Sequence, residues 1–134
     1  MILLDTTVIV GFLDRDDALH DVAVASLREA GARSVFAASA VGYAEVMTGV
    51  ALGHHPEEAV SGFFADLIRE LLPVDRAVAA RAGALRGARR SLRMPDALIL
   101  ATADLSEQVE TVVCADSDWV KVEGLRCRIE LLRP

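Results

Sequence analysis

The sequence predicts an α/β fold: a mostly parallel central sheet with helices on both faces, an α/β/α sandwich. Short apolar runs of strand length alternate with longer segments of helical spacing. No linker, internal repeat or low-complexity tract interrupts that alternation. At 134 residues the chain fits one domain, 1–134, large enough to bury a core without disulfides or structural metal.

The first strand is expected at Ile2-Leu3-Leu4, with Asp5 at its junction with a helix running from Thr7 to Leu13. His20 to Ala30 has helical spacing, and Gly31 stands where that helix would stop. A second strand falls near Val35 to Ala38. Ser39 then caps a helix from Ala40 to Leu52, closed by Gly53, with Glu45 in its second turn. Pro56, Glu57 and Glu58 suit the first turn of a further helix that reaches about Leu71.

Leu71 to Val74 reads as a short edge strand, because Pro73 lacks an amide donor. Asp75 caps an Ala- and Arg-rich helix to about Ser91. Pro95 opens another that ends at Leu105, with Asp96 in its first turn. Two strands complete the pattern. Val109 to Cys114 is apolar, while in Arg126 to Leu132 the apolar Cys127, Ile129 and Leu131 alternate with Arg126, Arg128 and Glu130, so this strand is half exposed.

Parallel sheets present the carboxyl ends of their strands along one edge, where ligands bind. Asp5 and Asp116 each end a predicted strand, and Glu45 and Asp96 lie near the starts of helices that enter at that same edge. Each acid also has a plainer reading: Asp5 as a turn former, Asp96 as a helix cap. Glu45 sits inside the apolar stretch Val41 to Val50, where a carboxylate is costly to bury without a partner. Four converging carboxylates disfavour one another's ionised forms, and a bound cation resolves the conflict. Hard oxygen donors select magnesium or manganese, an ion suited to phosphodiester hydrolysis.

Composition agrees with such a site. The net charge of −6 argues against a general nucleic-acid coating protein, and the four candidate acids account for most of it. All but Lys121 of the 14 basic residues are Arg, the better phosphate reader. Cys114 and Cys127 both sit in apolar runs and cannot define a disulfide framework, so a reducing cytoplasm is expected. No signal peptide or membrane span is visible.

Other chemistries that use a strand-end Asp fit poorly. A haloacid-dehalogenase-type phosphatase needs a second Asp two residues on, where Thr7 stands. A receiver domain needs an acidic pair after its first strand, where Thr6 follows Asp5. A non-catalytic RNA- or protein-binding module remains the alternative, and the presence of all four acids argues against it.

Four segments, Leu4-Asp5-Thr6-Thr7, Ser39 with Glu45, Pro95-Asp96-Ala97-Leu98-Ile99-Leu100-Ala101-Thr102-Ala103 and Cys114-Ala115-Asp116-Ser117-Asp118-Trp119, resemble in order and spacing the PIN-domain nucleases, specifically VapC-type toxins. The resemblance spans nearly the whole chain. It implies a PIN-like fold and a magnesium-dependent endoribonuclease, a homodimer restrained by a small VapB-type antitoxin. Asp5, Glu45, Asp96 and Asp116 would be its metal-binding and catalytic acids, with Thr6 and Asp118 in support, and the products would carry 5′ phosphates. A small PIN nuclease outside toxin–antitoxin systems is the other reading.

Three positions depart from the family's habit, which has Ser or Asn at Thr7, Thr or Ser at Cys114 and Phe at Trp119. A thiol is a poor hydrogen-bond donor, so Cys114 would orient Asp116 less firmly. Arg86, Arg89, Arg90 and Arg93 are spaced to line one face of a helix, either to hold RNA phosphates or as a solvated face or antitoxin contact. His54 and His55 are adjacent loop residues whose side chains diverge, and no role is assigned to them.

Overall fold

The computed structural model describes residues 1–134. Its strands are β1 (Ile2–Leu4), β2 (Phe36–Ser39), β3 (Ile68–Leu72), β4 (Thr111–Cys114) and β5 (Arg128–Leu131). The helices are α1 (Thr6–Leu13), α2 (His20–Gly31), α3 (Ala40–Ala51), α4 (Glu57–Asp66), α5 (Arg76–Ala88) and α6 (Met94–Leu105), and a single 3-10 turn covers Trp119–Lys121. No helix is long and apolar enough to cross a membrane.

All strand pairings are parallel, in the order β3-β2-β1-β4-β5. The chain winds outward from β1 through β2 to β3, then returns to the other side of β1 for β4 and β5. Strand order therefore reverses between β1 and β4. In such sheets the ligand crevice opens at that reversal, beyond the carboxyl ends of the strands.

Alternation along the strands divides the core into two layers. Leu3, Val112 and Cys114 face one layer with Val78, Ala82 and Leu85 of α5 and Ala97, Leu100 and Ala103 of α6. Leu4 and Val113 face the other, with Val8 and Ile9 of α1, Leu27 of α2, Val46 of α3 and Phe63 of α4. Helices on both faces explain why β2 and β4 are buried at every position and read as continuous apolar runs. On the edge strand β5, Arg128 and Glu130 are exposed and Ile129 and Leu131 half-buried, as its alternation requires.

Three boundaries differ from expectation. Helix α4 stops at Asp66 rather than Leu71, because Ile68–Leu72 is taken into β3 by pairing with β2. Pro73 thus lies beyond the strand and costs it no ladder bond. Helix α5 stops at Ala88 rather than Ser91, where Arg89 turns extended and Leu92 drops into the core. The last strand begins at Arg128 rather than Arg126. Arg126 instead caps the carboxyl end of α6: its guanidinium donates to the carbonyls of Ala103 at 3.0 Å, Asp104 at 3.1 Å, Val109 at 2.6 Å and Ser106. Gly53 closes α3 as expected, and its φ of 78° explains why glycine is needed there.

Candidate functional site

Asp5 leaves the end of β1 as the N-cap of α1. Its main-chain N–H donates to the Val113 carbonyl at 3.0 Å, which pins it to the β1–β4 junction where strand order reverses. One carboxylate oxygen accepts the Thr6 N–H at 2.7 Å and the other accepts the Thr7 hydroxyl at 2.8 Å. The side chain is 4% exposed. Burial lifts its pKa from 3.8 to about 6 against these two bonds, and the nearby Asp96 and Glu45 charges push it further in the same direction.

Glu45 reaches the same place from the second turn of α3. The Thr6 hydroxyl donates to its Oε1 at 2.8 Å, so the two threonines after Asp5 each hold a different acid. Glu45 is half-buried, so the burial cost anticipated for it falls on Asp5 instead. Gly42 makes the crossing of α1 and α3 close: a Cβ there would stand 3.3 Å from the Thr6 hydroxyl.

Asp96 is in the first turn of α6, after Pro95, with a side chain 13% exposed. Arg93 draws it from the solvent side, Nε to Oδ2 at 3.5 Å. Its pKa is raised first by burial and also by Asp116, while Arg93 and Trp119 act to lower it. The buried Trp119 indole N–H makes no hydrogen bond.

Asp116 follows β4 and is exposed. Its Oδ1 accepts the Asp118 main-chain N–H at 2.9 Å, so Asp118 supports it through the backbone. The Asp118 side chain is occupied with Lys121 at 3.3 Å and Arg89 at 3.9 Å. Cys114 does not reach the Asp116 carboxylate: its thiol donates to the Asp116 carbonyl at 3.6 Å. Burial pushes this thiol up to about 12, which leaves it protonated and inert.

The arginine stripe does not form. Arg86 remains on α5 and donates from Nε to the Leu92 carbonyl at 2.8 Å, whereas Arg89 is the extended C-cap, Arg90 lies in the turn and Arg93 is the N-cap of α6. Helical spacing only lines residues up where the helix continues, and burial of Leu92 ends it. Arg90 and Arg93 remain exposed on the segment leading to Asp96.

The four acids thus come from the ends of β1 and β4 and the early turns of α3 and α6, and their charges act on one another through the Asp5–Glu45, Asp5–Asp96 and Asp96–Asp116 pairs. They form an open arrangement: nowhere do three Asp, Glu, His or Cys groups stand close enough to chelate one ion directly. The donors the acids would offer are all carboxylate oxygens, the type that hard divalent cations take. Beside Asp5 opens a cavity of about 390 Å³ lined by Thr6, Thr7, Val10, Leu19, Ala115 and Leu132. Two roomier cavities, of about 590 Å³ each, lie elsewhere, one against Ile2, Arg33 and Arg128 and one against Phe12, His20 and Leu27, and neither includes any of the four acids.

Sequence reasoning passed over Thr7 and Gly42. A hydroxyl two residues beyond an Asp cap was a readable signal for the first; the close approach that requires Gly42 is a tertiary event with no local sign.

A PIN domain model matches residues 2–125, and the chain belongs to the PIN domain family. PIN domains are nucleases. VapBC2 from Rickettsia felis, solved bound to a DNA fragment from its promoter, shares the fold with a TM-score of 0.77 over 99% of this chain and 100% of that one, at 18% identity. FitAcB from Neisseria gonorrhoeae gives 0.69 over 97% of each chain at 25% identity. VapBC-5 from Mycobacterium tuberculosis, of the VapBC family of toxin–antitoxin systems, gives 0.58 over 98% and 97% at 26% identity. No curated protein matches the chain in sequence.

Proposed function

We propose that this chain is a magnesium-dependent endoribonuclease, with manganese as an alternative ion, and the VapC-type toxin of a toxin–antitoxin pair. It acts in the cytoplasm as a homodimer and is restrained by a VapB-type antitoxin. The observation that supports the chemistry is Asp5: a buried carboxylate at the strand-order reversal, crowded by Glu45 and Asp96 and bonded only to neutral donors. A divalent cation relieves that crowding. Family membership and the toxin–antitoxin complexes among its structural relatives support the biological role.

Bound magnesium would supply a Lewis acid for the scissile phosphate and lower the pKa of the attacking water. The chain's part is positioning and charge. Thr6 and Thr7 hold Glu45 and Asp5 in fixed orientations, which leaves little reorganisation to pay at the moment of reaction. The exposed Asp116 forms the wetter rim, and the exposed Arg90 and Arg93 offer charge to RNA phosphates beside it.

Incubating the purified chain with single-stranded RNA tests this reading. The expected result is cleavage that requires Mg²⁺, stops with chelator and leaves 5′ phosphates; no cleavage with any divalent cation refutes it. Co-expression with a candidate antitoxin should yield a stable complex with suppressed cleavage.

A further inference from the structure

The cavity beside Asp5 has one charged side chain in its lining, Asp17, from the turn between α1 and α2. No Arg, Lys or His lines it, so it is unsuited to a phosphate. Val10, Leu19, Ala115 and Leu132 give it apolar walls. Thr6 and Thr7 line it too, but their hydroxyl protons are donated to Glu45 and Asp5, which leaves only lone pairs to offer. The Asp17 Oδ1 accepts the Leu19 N–H at 2.8 Å, and its other carboxylate oxygen takes no hydrogen bond. Thr6 and Thr7 follow Asp5 and Ala115 precedes Asp116, so the cavity is continuous with the four acids. Its volume of about 390 Å³ is near the lower end of the range for small-ligand sites, room for one base rather than a length of strand.

We propose that this cavity is a nucleobase subsite that selects guanine, with Asp17 reading the base. The proposal rests on the reading of the four acids as an RNA-cleaving site and names what that site takes beside the scissile bond. Apolar walls shield the faces of a flat base that has left its stack. A cavity whose side chains offer acceptors alone favours the base edge richest in donors. Guanine presents two adjacent donors, N1–H and the N2 amino group, which match the two oxygens of a carboxylate. Oδ1 keeps a lone pair for this beside its bond to Leu19. Adenine and cytosine present one amino group next to a ring acceptor, and uracil one N–H between two carbonyls, so each sets a lone pair against the carboxylate. The same charge repels phosphate, which favours entry of the base over the backbone.

Titration of the ¹⁵N-labelled chain with GMP, AMP, CMP and UMP in chelator tests this without metal or turnover. GMP should bind at least about 10-fold more tightly than the other three and shift the Leu19 amide, which reports on Asp17. Inosine monophosphate, which lacks the N2 amino group, should bind like the weaker set. Asp17→Asn can still accept the Leu19 N–H but sets an amide donor against the base, so it should lose the preference for GMP while its Tm is kept. Equal binding of the four, or no binding at millimolar nucleotide, overturns the proposal. So does GMP binding that leaves Leu19 unmoved, or a GMP preference that survives in Asp17→Asn. With Mg²⁺ and single-stranded RNA of mixed sequence, cuts should fall at a fixed offset from guanosine, and cuts independent of guanosine also overturn it. If GMP binds as expected and no divalent cation supports cleavage, the nuclease reading falls while the guanine site stands.

Discussion

Thr6 donates its hydroxyl to Glu45 Oε1 at 2.8 Å, and that bond joins the start of α1 to the second turn of α3 across 39 residues of sequence. Because the neighbouring Thr7 holds Asp5, one dipeptide sets the orientation of two acids on different elements. Thr6→Val keeps the shape and removes the donor. It should weaken Mg²⁺ binding by about 10-fold while shifting stability by less than about 1 kcal/mol. Calorimetric titration and a denaturation curve check the two halves.

Asp5 should make the metal-free protein less stable at neutral pH. Its folded pKa of about 6 lies above the 3.8 of the unfolded chain, so the folded state binds the proton more tightly in that window. Stability from this group is therefore full below about 3.8, falls as pH rises to about 6, and stays flat above. The loss is at most about 3 kcal/mol. Asp5→Asn, which can still accept from Thr6 and donate to Thr7, should raise Tm at pH 7.5 by several degrees and lose that advantage near pH 4. Thermal melts in chelator at the two pH values measure it.

Thr7→Val should raise the Asp5 pKa further, since the Thr7 hydroxyl bond favours the ionised carboxylate. The midpoint of the Asp5 carboxyl ¹³C titration should move upward in the metal-free variant. A midpoint at or below that of the unaltered chain would show that Thr7 does not stabilise the charge.

Arg126→Met should cost about 2–4 kcal/mol, because it strips the donor from carbonyls at the carboxyl end of α6 and leaves buried acceptors unpaired. The site lies at the other end of that helix, so urea denaturation should show the loss while Mg²⁺ affinity is kept.

How legible these features were depends on whether their cause is local. Ser39 and Asp75 are side-chain caps in the structure as in the sequence, since capping needs only a short polar side chain before an apolar run, whereas Asp5, expected at a strand–helix junction, proves to be the cap of α1. The strands carrying Asp5 and Asp116 were legible because sheets covered on both faces demand continuous apolar runs. Helical spacing alone misread two places. Ile68–Leu72 follows helix-forming residues but is claimed by β2, and the Arg86-to-Arg93 register fails because Leu92 must be buried. Arg126 looked like an outward strand residue because the carbonyls it binds lie 17 to 23 positions earlier in the chain.

The proposed cation-dependent nuclease centre joins Asp5, Glu45, Asp96 and Asp116. Cleavage of single-stranded RNA by Asp5→Asn and Asp96→Asn, each confirmed folded and assayed beside the unaltered chain in Mg²⁺, tests it most directly. Both variants should lose at least about 100-fold in rate, as expected when groups that stabilise charge at the reacting phosphate are removed. Unchanged cleavage by both would contradict the assignment.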